Sequence, residues 1–169
     1  MPKSRVCCRL LAVVIAAGLT TVHGRAQTFG LEQVNDSLYH LTLTTDSTCE
    51  KWILPFPIYR FCTGDVNGDE TDEAIVGVVK ATRFFKEKGR RIFIFKNFRG
   101  RVRPLWMGSR LGGTLHDFRL KDGKIRSLET TGNGYFVVAE YKWSHFGMRF
   151  ERFLAKGVTR ERADTIFNE

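Results

Sequence analysis

The sequence predicts an all-β fold of successive antiparallel hairpins, and three observations predict it. Apolar residues alternate with period two in short runs, turn dipeptides separate those runs, and long helical patterns are missing. A glycine turn, an apolar strand, a connection and a Phe-rich strand also recur: "GDETDEAIVGVV" with "RRIFIFKNFRGRV", then "GNGYFVVAEYKW" with "HFGMRFERFL". A repeat of about 40 to 50 residues is the size of a propeller blade. About three such units fit the chain, whereas propellers close with four to eight blades. The hairpins are therefore propeller-blade-like with closure left open, and a β-sandwich or barrel is the alternative.

Residues 1–26 read as a signal peptide. Lys3, Arg5 and Arg9 precede the apolar run "LLAVVIAAGL", and Gly24 and Ala26 are small residues placed for cleavage before Gln27. The apolar run is too short for a transmembrane anchor, which needs about 20 residues. A periplasmic or secreted location follows. The leader carries four of the 27 basic residues and no acid, so the formal charge of +9 falls to about +5 on cleavage. Residues 27–169 have the length of a single domain.

In the mature part, "SLYHLTLTT" puts Tyr39, Leu41 and Leu43 on one strand face. Cys49 and Cys62 are the cysteines left after cleavage, and in an oxidising compartment they are expected to form a disulfide; two buried thiols are the alternative. "AIVGVV", "RIFIF" and "YFVVAEY" are β-branched or aromatic strands. Asp122-Gly123 marks a two-residue hairpin, because a primed turn needs positive φ at both central residues. The polar end "TRERADTIFNE" forms either a short helix or a frayed tail.

Five acids lie between Asp65 and Glu73, directly before a strand. Asp65, Asn67 and Asp69 stand at loop positions one, three and five, Thr71 offers a carbonyl at seven, and Glu73 stands at nine. Calcium takes six to eight oxygens, and alternating Asp/Asn in a tight turn can aim several at one centre. "GDVNGDETDEAIVGV" resembles the calcium loops of FG-GAP and VCBS repeats, in which such a loop leads into a strand. The resemblance implies Asp65, Asn67, Asp69 and Glu73 as side-chain ligands of Ca2+. It departs at Glu70, where the pattern has glycine, and at Glu73, where it has Asp. The other reading is a turn in which Asp and Asn bond their own backbone.

Residues 80–126 hold 15 Lys/Arg against three acids. Arg99, Arg101 and Arg103 in "RGRVRP" alternate along a strand, and with Arg110 they are the candidate anion-binding residues, suited to sulfate, phosphate or uronate. Nucleic acid is disfavoured because no recognised binding motif accompanies the charge. An anionic glycan or an envelope component is the expected partner, and open sheet edges allow an oligomer. Trp52, Trp106 and Trp143 serve either as sugar platforms or as core.

Catalytic patterns are sparse. His40, His116 and His145 lack metal-ligand spacing, Ser109 lacks the nucleophile-elbow order, and adjacent His116 and Asp117 point to opposite strand faces. Glu129 and Glu140 are a conceivable acid and base for glycoside hydrolysis. The expected function is thus a non-enzymatic binding module, with a small glycan-active enzyme or a structural envelope subunit as alternatives. Over "GDVNGDETDEAIVGVVKATRFF", "RRIFIFKNFRGRVRPLWMGSRLGG" and "VAEYKW" the chain also resembles a group of small exported proteins of gut-dwelling Gram-negative bacteria, often labelled nuclear receptor-binding factor. An exported bacterial β-protein has no chemical reason to meet such a receptor, so the resemblance implies location and supplies no mechanism.

Overall fold

The computed structural model describes residues 27–83, 85–108 and 111–169. The expected leader, residues 1–26, and the candidate anion ligand Arg110 lie outside them. The chain is all-β and forms three antiparallel sheets of sequential hairpins, none of them closed into a barrel. Sheet 1 holds β1 (Gln27–Asn35), β2 (Leu38–Thr45) and β3 (Cys49–Leu54). Sheet 2 holds β4 (Ile58–Gly64), β5 (Glu73–Lys80), β6 (Gly89–Phe98) and β7 (Arg101–Met107). Sheet 3 holds β8 (Thr114–Lys121), β9 (Lys124–Thr130), β10 (Phe136–Ser144) and β11 (Gly147–Val158), and α1 (Arg160–Asn168) follows it.

Strand alternation builds two cores from the middle sheet. On β5 and β6, Ala74, Val76, Val78, Phe93 and Phe95 meet Leu41, Leu43 and Leu54 of sheet 1. Their neighbours Ile75, Ile92 and Ile94 face the other way and meet Phe118, Ile125 and Ala139 of sheet 3. A strand buried on both faces must be apolar at successive positions, which is why "AIVGVV" and "RIFIF" read as continuous runs. Gly77 lets sheets 2 and 3 approach closely: a β-carbon there would lie 2.7 Å from Tyr59 of β4 and 2.9 Å from Phe118 of sheet 3.

The far face of sheet 3 is covered by α1, whose Ala163 and Phe167 pack on Leu128 and Val138. The helix end is tied down by arginines. Arg126 donates to the Ile166 carbonyl and Arg119 to Asn168, placing positive charge where the helix dipole is negative. The polar tail is thus a docked helix. The Asp122-Gly123 turn has φ of 50° and 68°, the two positive values its sequence requires.

The expected Cys49–Cys62 disulfide is not formed, and both thiols are free. Cys49 is exposed on β3, whereas Cys62 pairs with Ile75 and packs into the core between sheets 2 and 3. The middle sheet separates the two. Burial raises the Cys62 thiol pKa, although a backbone hydrogen bond at Leu120 and the charge of Arg60 work against it.

Candidate functional site

Two sites predicted from sequence lie at the same end of the middle sheet. The acidic loop connects β4 to β5, and the basic turn connects β6 to β7.

The loop is closed by its own hydrogen bonds. Asp65 Oδ1 accepts from the backbone N–H groups of Asn67 and Gly68, and Oδ2 from that of Glu70. Asn67 Oδ1 accepts from Asp69 N–H, and Asp69 Oδ1 from Thr71 N–H and its hydroxyl. Glu70 has φ of 65°, the left-handed conformation for which the resembling loops use glycine. Val66 anchors the loop in the core between sheets 2 and 3 and donates to Glu73 Oε2 at 3.0 Å.

Glu73 is 0% exposed. Burial pushes its carboxyl up to about 7; the Val66 N–H opposes that rise, and the charges of Asp69 and Asp65 add to it. Burial also works against the charge of Asp69, yet hydrogen bonds from Thr71 and Asn67, with Lys96 beyond, hold Asp69 below the usual range. Asn67 Nδ2 donates to Asp69 Oδ2 at 3.1 Å and to Glu73 Oε1 at 2.8 Å, so an amide sits where these carboxylates converge. In type, this all-oxygen donor set fits a hard cation. In arrangement, no three Asp, Glu, His or Cys side chains are gathered as for a metal ion among the described residues, and a cation would have to displace that amide.

The basic turn is ordered by local geometry. Arg99 and Gly100 have φ of 56° and 78°, which reverses the chain between paired strands. Register sets Lys96 opposite Arg103 and Phe98 opposite Arg101, so these four side chains share one face while Val102 enters the core. Phe98 is 49% exposed. The Arg99 guanidinium lies 5.2 Å and the Lys96 ammonium 6.0 Å from its ring centre. Arg101 and Arg103 are exposed and have no ion-pair partner among the described residues. The structure places Arg101 and Arg103 on one face of β7 and Arg99 in the turn that precedes it. It adds Lys96 and Phe98, which only strand register could reveal.

Several other cations of the basic stretch are held in structural contacts. Arg90 donates to the His116 carbonyl and lies over Tyr59, Arg126 pairs with Glu140 at 3.1 Å, and Lys124 pairs with Glu151 at 2.8 Å. The conceivable hydrolytic pair is taken apart by the pleat. Glu129 lies opposite Val137 on the face toward sheet 2, whereas Glu140 lies opposite Arg126 on the face toward α1. Asp117 forms a two-point pair with Arg60, while His116 meets the Thr130 hydroxyl at 3.0 Å. Trp52, Trp106 and Trp143 all pack against core clusters while remaining partly exposed. Among the described residues, no helix is long and apolar enough to cross a membrane. Compared with known proteins, the chain matches no family model and no curated protein.

Proposed function

We propose that this chain is an exported, non-enzymatic binding module whose β6–β7 turn holds an anionic partner such as an acidic glycan. One observation carries the reading: Arg101 and Arg103 stand exposed on one strand face, with no ion-pair partner among the described residues, beside Lys96, Arg99 and the half-exposed ring of Phe98. Guanidinium forks bind sulfate or carboxylate in a two-point fashion, and an aromatic ring offers a sugar an apolar face. Export is supported by Lys3, Arg5 and Arg9 ahead of the apolar run at residues 10–19. Calcium is proposed as a stabilising ligand of the neighbouring loop. It is supported by the oxygen-only donors and by the buried carboxyl of Glu73, which pairs with no Lys or Arg among the described residues.

Heparin chromatography tests the anionic partner. The wild-type chain is expected to be retained at low salt and released as ionic strength rises. The Arg101→Glu/Arg103→Glu variant should elute near the void. Lys51→Glu, on sheet 1 and paired with Glu32, should elute as the wild type does. Equal elution of all three would overturn the reading.

A further inference from the structure

Sheets 2 and 3 have four strands each, and β4 and β6 of sheet 2 lie over β8 of sheet 3. The inner face of β10 reaches the core shared with sheet 2, β11 is the edge strand beside it, and together they border a cleft of about 580 Å³. Volumes of about 300 to 1,000 Å³ are usual for small-molecule sites. Trp106 of β7, Tyr141, Met148, Phe150 and Phe153 supply its apolar lining. Phe150 and Phe153 are 44% and 50% exposed, with ring centres 4.6 Å apart, and Tyr141 meets Phe150 edge-on at 5.9 Å. Large aromatic faces in solvent at the mouth of a concave site are placed to receive something flat and partly apolar.

The polar groups of the cleft narrow the class. Glu129 lines it and is 2% exposed. Its Oε1 accepts from the Ser127 hydroxyl at 2.5 Å and its Oε2 from the Gly113 N–H, while the Gly112 N–H donates to the Tyr141 hydroxyl at 3.0 Å. The Gly112-Gly113 pair makes this possible. A β-carbon at Gly113 would lie 2.7 Å from the Thr130 carbonyl oxygen and 3.0 Å from Glu129 Oε2. A carboxylate offers about four acceptor positions; with the Ser127 hydroxyl, the Gly113 N–H and the Tyr141 hydroxyl already against it, Glu129 keeps one position for a further donor. No Lys or Arg pairs with it among the described residues. Lys156 lines the same cleft, with its ammonium 5.3 Å from the centre of the Phe153 ring, and Thr130 and Thr131 border it.

We propose that this cleft is a binding site for a neutral saccharide ring. A sugar has a face of C–H groups for Phe150 and Phe153 and a rim of hydroxyls that donate to Glu129 and accept from Lys156. Other classes fit less well. An acyl chain would strip water from Glu129 without replacing its hydrogen bonds. An organic cation would suit Glu129 and the rings but would meet Lys156, and an anion would suit Lys156 but would meet Glu129. The site is separate from the basic turn in its residues and its salt dependence.

The test uses the mature chain in about 0.5 M salt, where the Debye length falls to several ångströms and the basic turn is screened. Glucose, galactose, mannose, N-acetylglucosamine and their β-linked dimers are the probes, read by saturation-transfer NMR and calorimetry. At least one is expected to bind saturably below about 10 mM, the scale of a weak single-ring site. Phe150→Ala and Phe153→Ala, both at exposed side chains, should each weaken that binding about tenfold with the melting temperature retained. Arg101→Glu/Arg103→Glu should leave it unchanged, which separates failure of the cleft from failure of the basic turn. The proposal is overturned if no probe binds, if both phenylalanine variants bind like the wild type, or if tetramethylammonium or decanoate occupies the cleft and no sugar does.

Discussion

Glu70 bends with φ of 65° in a loop whose resembling sequences place glycine there, and the fold holds that conformation because its N–H donates to Asp65 Oδ2. A side chain in the left-handed region costs about 1–2 kcal/mol, and part of the gain from removing it is lost to the greater freedom of glycine in the unfolded chain. Glu70→Gly should therefore raise stability by about 0.5–1 kcal/mol, read as a higher urea midpoint at unchanged slope. Glu140 is the opposite case. Burial acts against its charge, yet hydrogen bonds and charges from Arg152 and Arg126 hold its pKa below the ordinary value. A depressed carboxyl contributes stability that is present above its unfolded pKa and lost as pH falls through its folded value. Glu140→Gln leaves Arg126, itself 7% exposed, without its counter-charge and should cost about 3 kcal/mol at neutral pH. That deficit should shrink in acid, so the melting temperatures of wild type and variant converge toward pH 3. Some residue-scale features were legible because they are local, as with the backbone signs at Asp122 and Gly123. The cysteine pairing was not, because spacing along the chain says nothing about which sheet, or which face of it, each thiol enters.

At the scale of elements, α1 shows where the sequence stops being informative. A nine-residue polar helix is marginal by itself, so residues 160–168 are compatible with either helix or tail. Docking decides: Ala163 and Phe167, four residues apart, meet Leu128 and Val138, and Arg126 and Arg119 hold the last turn. Phe167→Ala should cost about 3 kcal/mol and expose that face of sheet 3, detectable as a lower melting temperature with increased dye binding. The basic turn divides in the same way. Alternation made Arg101 and Arg103 neighbours on paper, but placing Lys96 and Phe98 beside them requires the β6–β7 register. The bulge at Leu105 adds a second hidden step. It turns Trp106 to the same side as Ile94, so one strand carries the basic face at one end and an aromatic wall at the other.

At the scale of the whole molecule, the count of three units was readable and their closure was not, because no residue pattern states how a stack ends. The outer side of sheet 1 is largely polar, with His40, Thr42 and Lys51 on it, and the far side of sheet 3 is covered by α1. With its outer faces polar or covered among the described residues, the three-sheet stack is expected to stay monomeric, and sedimentation should return the mass of one chain. The acidic loop is where the three sheets meet. Val66 enters the core between sheets 2 and 3, Gly123 of the β8–β9 turn approaches the Asp65 carbonyl, and Gln27 of sheet 1 donates to the Asp72 carbonyl while accepting from Asn97. A cation bound among Asp65, Asn67, Asp69 and Glu73 would therefore tighten a junction rather than a stray turn. It would also offset the cost of a buried Glu73 charge. Binding to the folded chain alone stabilises by about 2.7 kcal/mol at a hundredfold excess over the dissociation constant, so millimolar calcium should raise the melting temperature by several degrees over EDTA. Magnesium, which demands a tighter octahedral shell, should do less. Asp69→Asn should abolish the calcium increment, and an identical melting temperature for the wild type in calcium and in EDTA would show that the loop is held by its own hydrogen bonds alone.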